Sequence, residues 1–204
     1  MDLKDEKQKF RVAVSGRHLH LTQETLGVLF GEGYVLEPVK PTKGQFLSTA
    51  RVAVVGPKHT FQHVAIMGPC RDFNQLEISI TDAYTLGVPA VIRMSGDIEG
   101  TPGIRIEGPK GAIELDKGVI VAKRHIHLNP LLAEEYGIHD GESVLLRVDT
   151  PDRALIFDNT VVKLAKNPAS SSVAHIDTDE GNAAGIHKEA SGYIEGKSRR
   201  TTDD

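Results

Sequence analysis

Two short histidine pairs are the clearest candidate chemical groups in the sequence. His18 and His20 form one His-x-His pair, and His125 and His127 form another. In an extended strand, residues i and i+2 point to the same side, so each pair can present two imidazoles to one metal ion. Neutral imidazole is a good ligand for zinc. The spacing therefore predicts two metal-binding positions, one in each half of the chain.

The two pairs lie in copies of one longer segment. Residues 12–22 read VAVSGRHLHLT and residues 119–129 read VIVAKRHIHLN. Each copy has the pattern of a strand, an Arg-His-x-His-Leu motif, a helix N-cap and a short helix. A single His-x-His in a strand is more often only an exposed polar face. Its repetition with the same flanking residues favours metal binding and an ancient internal duplication.

A weaker second repeat supplies further ligands. Residues 76–87 (LEISITDAYTLG) align with 174–185 (AHIDTDEGNAAG) after a one-residue gap, which places Glu77 opposite His175. Two histidines are too few for a tight zinc site, and these residues raise each set to three. Six such ligands suit two zinc ions with open positions for substrate. The alternatives are a surface salt bridge for Glu77 and a capped turn for His175.

Four basic residues could serve an anionic substrate. Arg71 can clamp a phosphate through its bidentate fork, and Lys58, after a Gly-Pro turn, can bind one as a point charge. Arg17 and Arg124 directly precede the histidine pairs and should face away from them. These two either orient the ligands or bind the substrate. An ordinary surface position is the alternative for Arg71 and for Lys58.

Composition limits the classes of function. The 204 residues carry a formal net charge of -4 with 39% hydrophobic residues, so nothing favours nucleic acid or an anionic membrane. The single cysteine, Cys70, excludes an internal disulfide and suits a reducing compartment. The polar N-terminal segment has no secretory signal pattern, and no apolar run is long enough to span a bilayer. We expect a cytoplasmic protein.

Short β-branched or alternating runs, separated by Gly, Pro, Asp and Asn, predict a mainly β fold. Three short helices are expected: one over 22–30 with Thr22 as N-cap, one over 129–137 with Asn129 as N-cap, and one over 81–87 beginning at Thr81 or Asp82. The predicted strands are 11–15, 51–55, 63–67, 88–94, 104–107, 118–122, 143–148, 154–157 and 160–164.

In the histidine motifs and the residues around Arg71 and Glu77, the chain resembles the phosphate propanoyltransferases (phosphotransacylases) of the PduL type. The resemblance extends from about Arg11 to Gly185 and includes eight motifs in order. They are 14–22 (VSGRHLHLT), 54–58 (VVGPK), 68–79 (GPCRDFNQLEIS), 81–87 (TDAYTLG), 93–104 (RMSGDIEGTPGI), 118–130 (GVIVAKRHIHLNP), 156–159 (IFDN) and 175–185 (HIDTDEGNAAG).

The resemblance implies two pseudo-duplicate β-barrels capped by short α-helices, with the active site between them. The first barrel would span 17–122, and the second would combine 10–16 with 123–190. The polar segment 191–204 is expected to be a flexible tail.

The resemblance also implies two zinc ions on the six ligands named above, with phosphate at Arg71. Coenzyme A contacts are expected at Val14, Ser15, Gly16, Lys58 and Asn182. The chain departs from the family pattern in two places. Gly16 replaces the usual Asn, and Ala65 stands where relatives often carry an Arg that contacts coenzyme A.

The implied reaction converts short-chain acyl-CoA and inorganic phosphate into acyl phosphate and CoA, by direct attack of phosphate on the thioester. A dinuclear zinc thioesterase or phosphoesterase is the alternative, and a binding module with structural zinc is another. The resemblance is compatible with a homodimer. Some relatives reach the lumen of a bacterial microcompartment through an amphipathic N-terminal extension, and the nine residues before Phe10 are too few and too polar for one.

Overall fold

The computed structural model describes residues 7–40, 44–187 and 190–198. Within these ranges the chain forms fourteen strands and four short helices. In chain order they are β1 Phe10–Ser15, β2 His18–His20, α1 Gln23–Phe30, β3 Phe46–Val55, β4 Thr60–Gly68, β5 Gln75–Ile78, α2 Ile80–Leu86, β6 Ile92–Arg93, β7 Ile104–Glu107, β8 Ala112–Leu115, β9 Val119–Ala122, β10 His125–Leu128, α3 Pro130–Tyr136, β11 Ser143–Asp149, β12 Leu155–Leu164, β13 Val173–Asp177, α4 Thr178–Ala183 and β14 Ala190–Lys197.

The chain divides into two compact units. The barrel unit comprises Met1–Ser15 and Lys123–Asp204, and the half-barrel unit comprises Gly16–Ala122. Among the described residues, no helix is both long enough and apolar enough to cross a bilayer. The mainly β class predicted from the sequence is confirmed.

The barrel unit is a closed six-stranded barrel in the order β1-β13-β10-β12-β11-β14. Alternate residues of each strand point inward, as the period of two requires. Val12, Ile126, Leu146 and Ile176 are therefore buried in one apolar core. The same alternation leaves His125, His127 and their neighbours on the other face of the strands.

The half-barrel unit is a curled eight-stranded sheet in the order β6-β9-β5-β2-β4-β3-β7-β8. Its core includes Leu19, Leu26, Val54 and Ile66, all buried. It differs from the prediction only in being a half-barrel rather than a closed barrel.

The two units share one plan, with an exchanged strand. In the half-barrel unit, β9 lies parallel to β5 and Ile120 pairs with Glu77. In the barrel unit, β1 lies parallel to β13 and Ala13 pairs with His175. The strands β1 and β9 are the repeated strands, and each directly precedes one histidine pair in the sequence. Each of them, however, belongs to the sheet that contains the other histidine pair. The internal duplication inferred from the sequence is thus visible in strand pairing.

The helix boundaries follow from their caps. Thr22 and Asn129 cap α1 and α3, as predicted. The start of α2 was predicted wrongly: its N-cap is Ser79. The Ser79 side chain accepts from the Asp82 N–H and the Asp82 carboxylate accepts from the Ser79 N–H. Asp82 is therefore the third residue of a capping box rather than the cap itself.

The predicted flexible tail is wrong for residues 191–197, because they lie in β14. This strand pairs with both β1 and β11 and so closes the barrel. Only one of its faces is buried, at Gly192 and Ile194, and the polar residues between them gave the sequence the composition of a tail. Residues 199–204 of the predicted tail lie outside the described residues. Residues 1–6, on which the prediction about an N-terminal extension depends, also lie outside them.

Three further details of the strands differ from the sequence prediction. The runs 154–157 and 160–164 form one strand, β12, with an irregular register against β11. The run 88–94 yields only the two-residue β6. The strand β8 was missed because its residues 112–115 alternate too briefly to stand out.

Candidate active site

Three potential metal ligands meet on neighbouring strands of the half-barrel unit. His18 and His20 lie on β2, which runs antiparallel to β5 with His18 opposite Glu77. The Nε2 atoms of both histidines lie 3.6 Å from a Glu77 carboxylate oxygen. Their candidate ligand atoms all lie within 4.8 Å of one another. We refer to these three residues as the first triad.

Hydrogen bonds of the first triad fit a metal site. The Nδ1–H of His18 donates to the Gly16 carbonyl at 2.8 Å, which leaves Nε2 with its lone pair directed for coordination. His20 is only 1% exposed, and its Nδ1 is buried without a hydrogen-bond partner among the described residues. A buried ring nitrogen of this kind is costly unless a ligand satisfies it. Two imidazoles and a carboxylate are a donor set that suits zinc.

The electrostatics of Glu77 favour its ionised form. Burial opposes ionisation, but the interactions of Glu77 with His20 and His18 outweigh it and lower the pKa of Glu77 to about 2. Burial conversely lowers the pKa of His20, although Glu77 opposes that shift. The first triad therefore combines a carboxylate with a histidine that tends to be neutral, which are the protonation states that bind metal.

The barrel unit contains an equivalent cluster, the second triad. His125 and His127 lie on β10, which is antiparallel to β13 with His125 opposite His175. The ring centroid of His125 lies 5.0 Å from that of His127 and 5.2 Å from that of His175. The ring centroids of His127 and His175 are 5.5 Å apart. Burial, followed by the charges of His125 and Lys163, lowers the pKa of His127.

Matching details relate the two triads. Each His-x-His pair has its rings edge to face at 5.0 Å. The Nδ1–H of His125 donates to the Lys123 carbonyl at 3.0 Å, just as that of His18 donates to Gly16, two residues earlier in both cases. Glu77 and His175 occupy the same register position. The sequence repeat has thus produced the same arrangement of three side chains in each unit.

The arginines that precede the pairs support the scaffold. Arg17 forms two hydrogen bonds with Asp82, at 2.6 and 3.1 Å, and its guanidinium lies 4.0 Å from the Phe61 ring centroid. Arg124 pairs with Glu180, the third residue of the α4 capping box. Both arginines are therefore joined to the helix that follows the third ligand, which favours the orienting alternative over substrate binding.

Arg71 lies beside the first triad. Its backbone N–H donates to the carbonyl of Leu21, the residue after His20, at 2.9 Å. Its guanidinium donates to Ser95 Oγ at 3.0 Å and lies 5.7 Å from the centre of the Phe73 ring. Burial lowers the pKa of Arg71, and Glu77 opposes that shift. A partly buried guanidinium near a candidate metal site is suited to an oxyanion.

Comparison with known proteins gives a consistent result. The family model described as phosphate propanoyltransferase matches residues 11–187. A phosphate propanoyltransferase of Thermotoga maritima is 50% identical over 175 residues, which cover 85% of this chain and 82% of the relative. One from Leptotrichia buccalis is 46% identical, with 94% and 90% covered, and one from Clostridioides difficile is 45% identical, with 90% and 88% covered.

The chain belongs to the phosphate propanoyltransferase family. This is a family of transferase enzymes, so the resemblance first drawn from the eight motifs is confirmed.

The residues expected to contact coenzyme A in this phosphate propanoyltransferase family member are spread over both units. In the barrel unit, Val14 and Ser15 end β1 beside α4, which carries the exposed Asn182. A side chain at Gly181 would meet Val14 at 2.7 Å, so the helix packs closely on that strand. In the half-barrel unit, Gly16 and Lys58 are exposed.

Two further residues at these positions have identifiable surroundings. Lys58 Nζ lies 5.0 Å from the centre of the exposed Tyr84 ring, and its backbone N–H donates to the Leu86 carbonyl. Ala65 pairs with His18 across β2 and β4. The departure from the family pattern at Ala65 is therefore next to the first triad.

Sequence reasoning missed three residues around the triads. Gln75 and Ser95 form hydrogen bonds near Glu77, and Lys163 pairs with His127 across β10 and β12. Gln75 lies in the 68–79 motif, but nothing in its spacing indicates a role. Four other histidines lie outside both triads and are exposed: His59, His63, His139 and His187.

Proposed function

We propose that this protein transfers a short acyl group, propanoyl or acetyl, between coenzyme A and inorganic phosphate. The observation that carries the proposal is the duplicated triad in a member of the phosphate propanoyltransferase family. Each triad would hold one zinc ion, the first through His18, His20 and Glu77 and the second through His125, His127 and His175. Zinc supplies Lewis-acid stabilisation of developing negative charge.

The protein's own residues would prepare the phosphate for attack. The Arg71 guanidinium can donate two parallel hydrogen bonds to phosphate oxygens, which reduces the charge density that repels a second anion. The Arg71 backbone N–H donates to the Leu21 carbonyl and the guanidinium donates to Ser95, and together these bonds fix the orientation of the side chain before substrate arrives. Coenzyme A would be held by Val14, Ser15, Gly16, Lys58 and Asn182.

The reaction would proceed by direct attack. An oxygen of hydrogen phosphate bonds to the thioester carbonyl carbon, and the C–S bond then breaks. CoA leaves as a thiolate and takes up the proton that the phosphate releases, so the products are acyl phosphate and free CoA thiol. The reverse reaction follows the same steps, because acyl phosphate and thioester are both activated acyl groups.

Cys70 would not form an acyl-enzyme. Burial raises the pKa of its thiol, which opposes the nucleophilic thiolate, and Sγ donates to Gln23 Oε1 at 3.4 Å. We predict that Cys70→Ser keeps the wild-type kcat in the phosphate-dependent reaction, as measured by the disappearance of the thioester absorbance. A loss of turnover accompanied by an acylated Cys70 in the wild-type mass spectrum would favour a covalent route.

The activity is tested with purified protein reconstituted with zinc. We expect propanoyl-CoA or acetyl-CoA to release CoA only when inorganic phosphate is present, with acyl phosphate trapped as the hydroxamate in equal amount. Release without phosphate would show a thioesterase and contradict the proposal. If removal of zinc by a chelator unfolded the chain and no turnover occurred with zinc restored, a structural metal site would be the better explanation.

A further inference from the structure

A partly buried polar network joins Arg71 to Glu77. Ser95 Oγ accepts a hydrogen bond from Arg71 at 3.0 Å and another from Gln75 Nε2 at 2.9 Å. A hydroxyl has two acceptor positions, and these two contacts use both of them.

Gln75 is equally committed. It is 0% exposed, and its Nε2 donates to Glu77 Oε1 at 2.6 Å as well as to Ser95. Its Oε1 accepts from the Gly96 N–H at 2.8 Å. The amide therefore cannot rotate without losing bonds on both sides, and it fixes the Glu77 carboxylate relative to the turn that carries Ser95.

The second triad has an apolar residue at the register position that corresponds to Gln75. Gln75 lies opposite His20 in the half-barrel unit, and the matching position opposite His127 is occupied by the apolar Val173. The duplication reproduced the ligands of the two triads but placed this amide at only one of them. A feature present at one of two otherwise matching sites indicates a task specific to that site.

We propose that Ser95 and Gln75 are positioning residues that hold the Arg71 guanidinium in a fixed relation to the Glu77 carboxylate, so that one oxyanion can be bound by the guanidinium and the first-triad metal together. This inference rests on the proposed function. It assigns the phosphate, rather than the thioester, to the first triad. Neither residue needs to contact the substrate, because each acts through Arg71 or Glu77.

Ser95→Ala tests the proposal by separating the two substrates. The variant removes the acceptor of Arg71, so we expect the KM for phosphate to rise about tenfold while the KM for propanoyl-CoA stays unchanged. Ser95→Thr retains the hydroxyl and should restore the KM for phosphate. The matched control is Ser143→Ala in the barrel unit, since Ser143 is buried and its hydroxyl donates to Asn159 Oδ1. It should change neither KM.

A second readout does not depend on turnover. Loss of an outer hydrogen bond to a metal ligand typically weakens metal binding by about 10- to 100-fold. We therefore expect Gln75→Met to lose one zinc ion per chain to a competing chelator at a concentration that leaves the wild type and Ser143→Ala loaded. If wild type shows no phosphate-dependent turnover, the proposed function fails, whereas this zinc competition still tests the positioning of Glu77.

Two results would overturn the inference. One is an equal change of both KM values in Ser95→Ala that Ser95→Thr does not reverse, because that indicates a general structural role. The other is wild-type zinc retention in Gln75→Met together with an unchanged KM for phosphate in Ser95→Ala. Circular dichroism and the midpoint of urea unfolding, measured on every variant, identify folding defects. If Ser95→Ala does not fold, Gln75→Met with its KM values provides the same comparison.

Discussion

His20→Ala and His127→Ala should each remove one zinc ion per chain and lower phosphate-dependent turnover by about a thousandfold. Each variant deletes one of three ligands, and two protein ligands hold zinc poorly. Lewis-acid stabilisation by zinc is worth several kcal/mol, and about 4 kcal/mol corresponds to a thousandfold in rate. Zinc per chain is measured by plasma mass spectrometry after dialysis, and turnover by CoA release.

The two variants together examine whether both triads serve one reaction. Equal losses of turnover, each with one ion retained, are expected if the reaction needs both. His63→Ala is the control, since His63 is an exposed histidine on β4 outside either triad, and it should keep full zinc and full activity. Full turnover in His127→Ala would contradict a catalytic role for the second triad.

The triads were predictable because their signal is periodic. His18 and His20 lie two residues apart in a strand, so they must share a face, and the same holds for His125 and His127. The third ligands were predicted from the second repeat alone. The structure places Glu77 opposite His18 and His175 opposite His125, the correspondence that the one-residue gap had given. A duplicated sequence thus revealed contacts between distant strands.

The surroundings of the triads were not predictable in the same way. The bonds of Ser95 to Arg71 and Gln75 depend on how the loop after β6 folds back on β5, and no local pattern encodes that approach. Similarly, the sequence predicted that α2 begins at Thr81 or Asp82, although Asp82 accepts hydrogen bonds from both Ser79 and Arg17. The partner Arg17 is distant in sequence, so the role of Asp82 is not visible from its neighbours alone.

The strand β14 shows a further limit. The polar residues of this segment predicted a flexible tail. The exposed face of a strand inside a closed barrel is also polar, so composition does not distinguish the two. Pairing on both sides, with β1 and β11, supplies the backbone hydrogen bonds that make such a weakly apolar segment a strand. The composition of a segment indicates how much apolar surface it can bury. It does not indicate whether the segment pairs with other strands, because pairing depends on the rest of the chain.

Arg71→Ala should lower kcat/KM for phosphate by about 100- to 1000-fold, the usual loss when one preorganised donor to a developing oxyanion is removed. Arg71→Lys keeps the charge but not the planar fork, so it should fall between Arg71→Ala and wild type. The KM for propanoyl-CoA should change little in both variants, because the guanidinium is assigned to phosphate. Initial rates measured over a phosphate series at saturating propanoyl-CoA give the values.

The control for Arg71 is Arg105→Ala. Arg105 also lies in the half-barrel unit and also forms side-chain hydrogen bonds, to Glu107 and Glu114, but on an exposed surface. Its loss should leave kcat/KM for phosphate and the midpoint of urea unfolding close to their wild-type values. Two outcomes would contradict the assignment of phosphate to Arg71: equal behaviour of Arg71→Ala and Arg105→Ala, or a KM that rises for propanoyl-CoA instead of for phosphate in Arg71→Ala. The triads would then have to bind phosphate without a guanidinium. In that case the charge of the metal ions alone would have to overcome the repulsion between the two anionic substrates.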